Sequence, residues 1–230
     1  MDFASVLEAG GSLALSIGVF AFAVWLNRKT NSPLLNPLLV TVAIIMIGLT
    51  VFNIPLDSYE KGATLISSML GPATAVLAFS IYHQRKILQS NFLPIFVGCL
   101  VGSTVSMVSA YGLCELFGLG DQVALSTLPK STTAPIALAV TGELGGTASI
   151  TMAAVMTTGV MGAIFSPMLA NLFHIKNKVA QGVAIGTCSH AVGTAKALEM
   201  GKLEGAMSGV AIAVSGLLTC FIVIAATSIM

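Results

Sequence analysis

Residues 122–141 read QVALSTLPKSTTAPIALAVT and place Lys130 inside an otherwise apolar segment. Pro129 and Pro135 flank this lysine, and each proline removes a backbone donor, so a regular helix does not run through them. An ammonium at bilayer depth costs roughly 2.5–3.5 kcal/mol on insertion scales, and such a group usually faces a cavity or a partner. A broken apolar segment that carries a cation and several hydroxyls predicts a binding site for a small anion.

The composition predicts that the rest of the chain also lies in a membrane. Of its 230 residues, 56% are hydrophobic and 8% are charged, whereas soluble globular proteins have about 25% charged residues. The net charge of only +1 does not indicate a basic surface of the kind that binds nucleic acids. We expect an all-α polytopic membrane protein that forms one domain over residues 1–230.

Eight apolar segments are candidates for membrane spans or parts of them. They cover residues 11–26, 34–53, 63–82, 92–117, 122–141, 148–173, 179–200 and 203–230. The connections between them are short and contain no flexible linker, in keeping with a single domain.

Positive charge discriminates between two topologies, because Lys and Arg are enriched in cytoplasmic loops. If all eight segments span the membrane, Lys178 lies on the opposite face from Arg28 and Arg85. The conflict disappears if residues 122–141 and 179–200 each enter the membrane and return to the same face. We therefore predict about six full transmembrane helices, two opposed re-entrant hairpins and periplasmic termini. Eight plain spans are the alternative.

Two stripes of small residues predict close helix packing, since such spacing lets backbones approach one another in membranes. The first stripe comprises Gly98, Gly102, Ser106 and Ala110, and the second Gly201, Gly205, Gly209 and Ala213. They suggest either a degenerate internal repeat, as in many transporters, or chance spacing in glycine-rich helices. They also leave room for a homodimer.

The hydroxyl residues that follow Lys130 suit a carboxylate. Ser131 and Thr133 can donate hydrogen bonds, while Lys130 supplies a compact positive charge. A half-helix that begins near Ser131 would add exposed N–H groups and the positive end of its dipole. The alternative is that Lys130 snorkels to an interface and that Ser131 only caps a helix.

A second polar cluster lies in GTCSHAVGTAKALE, residues 186–199. Ser189 and His190 could donate to a carboxylate, and the histidine could carry a coupling proton. Gly186 and Gly193 would permit close backbone approach or a hinge. The alternative is a buried histidine bonded to a backbone carbonyl.

Two glycine motifs interrupt the apolar pattern elsewhere. Gly71 and Pro72 break the segment 63–82, which indicates either gating backbone or a packing kink. Gly145 and Gly146 follow the first hairpin and predict a tight turn or hinge.

The sequence has no pattern typical of an enzyme, a nucleotide site or a metal site, so we expect no catalysis, cofactor or metal. Its cysteines have no CxxC spacing and lie in apolar segments, so they are expected to be small buried thiols. They are Cys99, Cys114, Cys188 and Cys220.

Four stretches resemble the LrgB/CidB family of bacterial inner-membrane proteins. They are NPLLVTVAIIMIGL, LGPATAVLA, LPKSTTAPIA and AIGTCSHAVGTAKALE. Thr132 stands where the family pattern has valine, Cys188 where it has serine, and Lys196 where arginine is common. These departures leave the substrate open.

The resemblance implies two competing functions. One is antiholin-like regulation of murein hydrolase activity and cell lysis, together with a small LrgA/CidA-type membrane partner. The other is transport of a small monocarboxylate such as pyruvate or glycolate, since a plastid relative moves glycolate and glycerate, with the proton as the candidate coupling ion. The broken lysine segment favours transport. Lys130, Ser131 and Thr133 would then bind the carboxylate, and Ser189 and His190 would complete the site.

Overall fold

The described part of the molecule is helical throughout and contains no strand. The computed structural model describes residues 10–30, 35, 37–69, 72, 75, 79, 82 and 85–227. The chain divides into two compact units, Met1–Val76 and Leu77–Met230.

The described residues of the first unit include two longer helices followed by two short ones. They are α1 (Ser12–Thr30), α2 (Pro37–Val51), α3 (Leu56–Gly62) and α4 (Thr64–Ser68). The Ser16 hydroxyl and the Tyr59 hydroxyl lie 2.7 Å apart and join α1 to α3. Helix α1 ends on Arg28 and Lys29, whose positive charges favour the negative end of the helix dipole. Most of the predicted segment 63–82 beyond α4 lies outside the described residues.

The second unit contains seven helices within the described residues. They are α5 (Arg85–Ser90), α6 (Phe92–Leu116), α7 (Asp121–Thr127), α8 (Ala134–Glu143), α9 (Ala148–Leu172), α10 (Lys178–Met200) and α11 (Lys202–Thr227).

Three of these helices, α6, α9 and α11, are long and apolar enough to cross a membrane. A helix of 25 residues, the length of α6 and of α9, measures about 37 Å, which exceeds the roughly 30 Å of bilayer hydrocarbon. Many of their large apolar side chains face outward, among them Leu116, Leu172 and Phe221. The chain is therefore a helical membrane protein with three candidate spans among the described residues.

The core of the second unit lies where α6, α10 and α11 meet. It comprises Ile95, Cys99, Val183, Met207, Val210, Ala211 and Leu218. Glycine permits this packing, because a Cβ at Gly102 would lie 2.8 Å from Thr187 Cγ2. The stripe in α6 thus packs inside the molecule, whereas a Cβ at Gly209 in α11 would meet open space.

Residues 122–141 form two short helices separated by a break. The excursion closes on itself, because the backbone N–H of Thr147 donates to the Ser126 hydroxyl at 2.7 Å. The hydroxyls of Thr141 and Thr151 also lie 2.8 Å apart, so the end of α8 returns to the start of α9. The segment from α7 to α8 thus starts and finishes at the same end of the unit, the end where α9 begins.

Helix α10 reverses direction at His190, where φ is +42° and ψ is −140°. Before this residue, a Cβ at Gly186 would collide with the Ser208 carbonyl of α11. After it, Thr194 Oγ1 lies 2.7 Å from Ser208 Oγ. In a straight helix positions 186 and 194 would be about 12 Å apart along the axis, and both could not reach one residue of α11. Residues 178–189 and 191–200 therefore pack side by side as two halves of a hairpin.

Candidate functional site

The ammonium of Lys130 lies beside the middle of α6. It donates to the Ser106 carbonyl at 3.2 Å and to the Ser106 hydroxyl at 2.8 Å. At 1.5 Å per residue, Ser106 lies about 21 Å along α6 from Phe92 and about 15 Å from Leu116. The cation is thus held well inside the span of an apolar helix and away from either end, unlike a lysine that snorkels to an interface.

The break around Lys130 is a hydrogen-bonded turn. The backbone N–H and the hydroxyl of Thr132 both donate to the Pro129 carbonyl, at 3.0 and 2.8 Å. Ser131 is buried, and its hydroxyl lies 2.8 Å from that of Ser106. The three side chains Lys130, Ser131 and Ser106 therefore form one connected polar cluster.

Pro135 marks the beginning of a helix. Helix α8 begins at Ala134, with Pro135 in its first turn, where a missing N–H leaves no bond unmade. Its N-cap is Thr133, whose side chain makes no capping hydrogen bond. The half-helix predicted near Ser131 thus starts three residues later, and Thr133 lies at the edge of the cluster.

His190 is a buried histidine bonded to a backbone carbonyl, which is the alternative weighed for this motif. It is 4% exposed, and Nε2 lies 2.9 Å from the Val155 carbonyl of α9. Because a carbonyl only accepts, Nε2 carries the hydrogen. Gly159 makes room for the ring, since a Cβ there would lie 2.6 Å from His190 Cε1.

Ser189 also faces α9. It is 1% exposed, and its hydroxyl has no hydrogen-bond partner. A Cβ at Gly162 would collide with this hydroxyl. Ser189 and His190 are therefore both fixed against α9, and neither hydrogen-bonds to the cluster around Lys130.

Cys188 connects the two broken elements. Cys188 lines the same open space as Gly102 of α6, which lies one helical turn before Ser106, the residue that holds the Lys130 ammonium. The prediction that all four cysteines are buried was wrong for Cys188, whose residue is exposed and lines open space beside α6 and α9. Cys99 and Cys114 are buried.

The glycines singled out in the sequence have different roles. A Cβ at Gly193 would collide with Ser189 of the other half of α10, so this position permits close approach, as Gly186 does against α11. Gly145 has φ of +71°, which glycine adopts without strain. A Cβ at Gly146 would lie 2.9 Å from Ser126 Oγ. Gly71 lies outside the described residues, and Pro72 is exposed.

Four residues of the site were missed by sequence reasoning. Ser106 was noticed only as a member of a small-residue stripe, and Cys188 only as an expected buried thiol and a departure from a family pattern. Gly159 and Gly162 carried no local signal, because their role depends on the side chains of α10 that pack against them. Only tertiary contacts reveal all four.

Within the described ranges, no group of three or more His, Cys, Asp or Glu side chains is placed to hold a metal ion.

Comparison with known proteins assigns the family. The sequence profile of the LrgB-like family matches residues 16–229. The chain belongs to the LrgB-like family. The resemblance noted in its motifs is thereby confirmed over nearly the whole length.

Several curated relatives are similar over most of their length. The uncharacterized protein YxaC of Bacillus subtilis is 36% identical over 209 residues, which are 91% of each chain. Holin-like protein CidB of Staphylococcus epidermidis is 32% identical over 94% of this chain and 95% of its own. Holin-like protein CidB of Staphylococcus aureus is 32% identical over 92% of each chain. No solved structure gives a significant match.

Proposed function

We propose that this LrgB-like protein transports a small monocarboxylate across the bacterial inner membrane and that Lys130 binds the carboxylate. The observation that carries the proposal is the environment of the ammonium. Among residues 85–227 it contacts two oxygens of Ser106 and no carboxylate. A cation at this depth without a fixed counterion favours an anionic ligand.

The two hairpins support a transporter architecture. The first opens at the end of the unit that holds Asp121 and Glu143, and the second at the end that holds Lys178 and Lys202. We place both within the bilayer as re-entrant elements, with the basic end in the cytoplasm according to the distribution of positive charge. Opposed broken helices that meet near the midplane are the usual setting of a transporter binding site.

The proposed mechanism uses the polar cluster as the binding centre. Lys130 neutralises the carboxylate, and Ser131 and Thr133 supply hydroxyls beside it. Ser106 fixes the position of the ammonium through two hydrogen bonds. His190 completes the site indirectly, because its bond to Val155 holds the turn of the second hairpin against α9. Any coupled proton on this ring would reside on Nδ1, since Nε2 is already bonded to the Val155 carbonyl.

A second function is favoured by the names of the relatives. CidB of both staphylococcal species is described as holin-like. Under this alternative the chain regulates murein hydrolase activity and lysis together with a small LrgA/CidA-type membrane protein. A regulator of this kind has no need for a cation held beside the middle of a span, and for that reason we rank transport first. Neither function requires catalysis.

Reconstitution separates the two functions. The purified protein is placed in vesicles, with and without a co-expressed LrgA-type partner, and entry of labelled pyruvate and glycolate is measured. Transport predicts saturable uptake that exceeds that of empty vesicles. Murein hydrolase release is then measured in cells that carry wild-type protein or Lys130→Ala. Absence of uptake by the wild-type protein in vesicles, together with normal hydrolase release in cells that carry Lys130→Ala, would support the regulator and overturn transport.

A further inference from the structure

A small cavity lies between α9 and residues 178–189 of α10. Its volume is about 150 Å³, several times the roughly 30 Å³ that a water molecule occupies in the liquid. Its polar lining residues are Ser166, Gln181, Cys188 and Ser189. The cavity therefore has room for a molecule of a few heavy atoms.

The Ser189 hydroxyl is a free donor in this cavity. The side chain is 1% exposed and its Oγ has no hydrogen-bond partner. A buried hydroxyl is seldom left unpaired, because the loss of its hydrogen bond to water is not offset. The oxygen lies against Gly162, which lines the same cavity, at a place that the Cβ of any other residue would occupy. The hydroxyl thus points to a ligand or water in the cavity.

The other polar groups provide acceptors. The Ser166 hydroxyl donates to the Gly162 carbonyl, so its own lone pairs remain for a ligand. Gln181 donates its amide N–H to the Ile175 carbonyl at 2.5 Å, which leaves its side-chain oxygen as an acceptor. One donor and two acceptors without a charge suit the oxygen atoms of a small hydroxy acid or of an undissociated acid.

The position of the cavity connects two parts of the proposed pathway. Ile175 and Gln181 lie beside the basic residues Lys176 and Lys178 that precede or begin α10. At the other end, Cys188 lines the cavity and also the space beside Gly102 of α6, one helical turn from Ser106, which holds the Lys130 ammonium. The cavity therefore extends from the basic end of the unit toward the Lys130 centre.

We propose that this cavity is a second binding position for the transported acid. The acid occupies it on the way between the basic end of the unit and Lys130, and Cys188 lies where the cavity approaches Lys130. The inference rests on the proposed transport function and deepens it. It reassigns Ser189 from the Lys130 centre to the cavity and makes Cys188 a residue that the passing acid covers.

Thiol protection tests this position. In the full-length reconstituted protein, Cys99, Cys114 and Cys220 are replaced by alanine, and the rate at which a small methanethiosulfonate reagent modifies Cys188 is measured with and without glycolate or pyruvate. At a ligand concentration ten times its Kd, mass action gives about tenfold slower labelling. The matched control retains only Cys220, whose labelling is expected not to respond. The background must take up substrate normally.

Two variants separate the cavity from the Lys130 centre. Lys130→Ala is expected to abolish uptake and to retain protection of Cys188, because the cavity is a separate site. Ser189→Ala is expected to lose protection and to raise the KM of uptake, with an unchanged unfolding temperature in detergent. Wild-type uptake without any protection of Cys188 would overturn the second position and leave the transport proposal standing. Absence of both uptake and protection in the wild type would overturn both.

Discussion

The Lys130 ammonium is positioned by one residue of α6, Ser106, which accepts two hydrogen bonds from it and lies 2.8 Å from the Ser131 hydroxyl. Hydrogen bonds to charged groups contribute about 1.5–3 kcal/mol each. A single serine therefore fixes where the positive charge stands and which way the neighbouring hydroxyl turns.

Ser106→Ala removes the closer of the two acceptors and is expected to weaken carboxylate binding. If the lost hydrogen bond weakens the binding free energy of the carboxylate by about 1.5 kcal/mol, the KM of uptake rises about tenfold. Thr104→Ala is the matched control, because its exposed hydroxyl bonds only to the Leu100 carbonyl of its own helix. Equal KM values for the two variants would show that Ser106 does not position the lysine.

Glycines of α9 can be tested by adding one methyl group. Gly162→Ala puts a Cβ into the Ser189 hydroxyl, and overpacking of this kind costs about 1–3 kcal/mol. In Gly209→Ala of α11 the new Cβ meets nothing within 4 Å, so the higher helix propensity of alanine should stabilise by up to about 1 kcal/mol. Thermal unfolding in detergent is expected to shift down for the first variant and slightly up for the second. Shifts of the same sign would contradict the packing described for Ser189.

Individual residues also show which parts of the candidate site could be predicted from the sequence. Lys130 and its hydroxyl neighbours were found because a cation and prolines in an apolar run are locally unusual. Ser106 was not assigned to them, because a separation of 24 positions along the chain hides its contact with Lys130. His190 attracted attention by its chemistry, yet its bond to Val155 makes it a structural group whose partner no local pattern specifies.

At the scale of elements, the molecule depends on two breaks. The first is a proline turn between α7 and α8, and the second is the reversal within α10. Proline and charge distribution together predicted where folding back was needed. The reversal itself falls on His190, whose φ of +42° and ψ of −140° lie outside the left-handed helical region in which histidine, asparagine and aspartate are enriched. The position of this turn was therefore not predictable from backbone preference.

The strained backbone at His190 predicts that glycine is more stable than alanine at this position, the reverse of their order in a regular helix. Both His190→Gly and His190→Ala remove the imidazole and its bond to Val155, so their difference reports the backbone alone. A non-glycine residue in such a sparsely populated region costs about 1–3 kcal/mol. The glycine variant is thus expected to unfold at a higher temperature than the alanine variant. In a regular helix alanine would be the more stable of the two by about 1 kcal/mol, and that order would contradict the reversal.

At the scale of the whole molecule, charge separates the two ends of the second unit. Lys176, Lys178, Lys196 and Lys202 lie at one end together with Glu199 and Glu204, which leaves that end net positive, and Asp121 and Glu143 lie at the other. Composition alone was sufficient to predict a helical membrane protein, because the hydrophobic and charged fractions are extreme. The number of spans is less accessible to such reasoning, since broken helices contribute apolar residues without crossing the bilayer.

Sidedness tests the proposed orientation. Cysteine is introduced singly at Lys178 and at Asp121 in a protein whose own cysteines are replaced by alanine, and an impermeant maleimide is applied to intact spheroplasts and to inverted vesicles. Both positions are exposed. We expect Asp121→Cys to react in spheroplasts and Lys178→Cys in inverted vesicles. Labelling of both from the same side would contradict the opposed hairpins.

The most direct test of the central claim is carboxylate uptake by vesicles that contain Lys130→Ala or Lys196→Ala. Lys196 is the matched control, because its ammonium pairs with the exposed carboxylate of Glu199 at 2.8 Å, and such surface pairs contribute little. We expect Lys130→Ala to lower kcat/KM at least about tenfold, or about 1.4 kcal/mol, and Lys196→Ala to transport as the wild type does. Undiminished uptake by a correctly folded Lys130→Ala protein would contradict it.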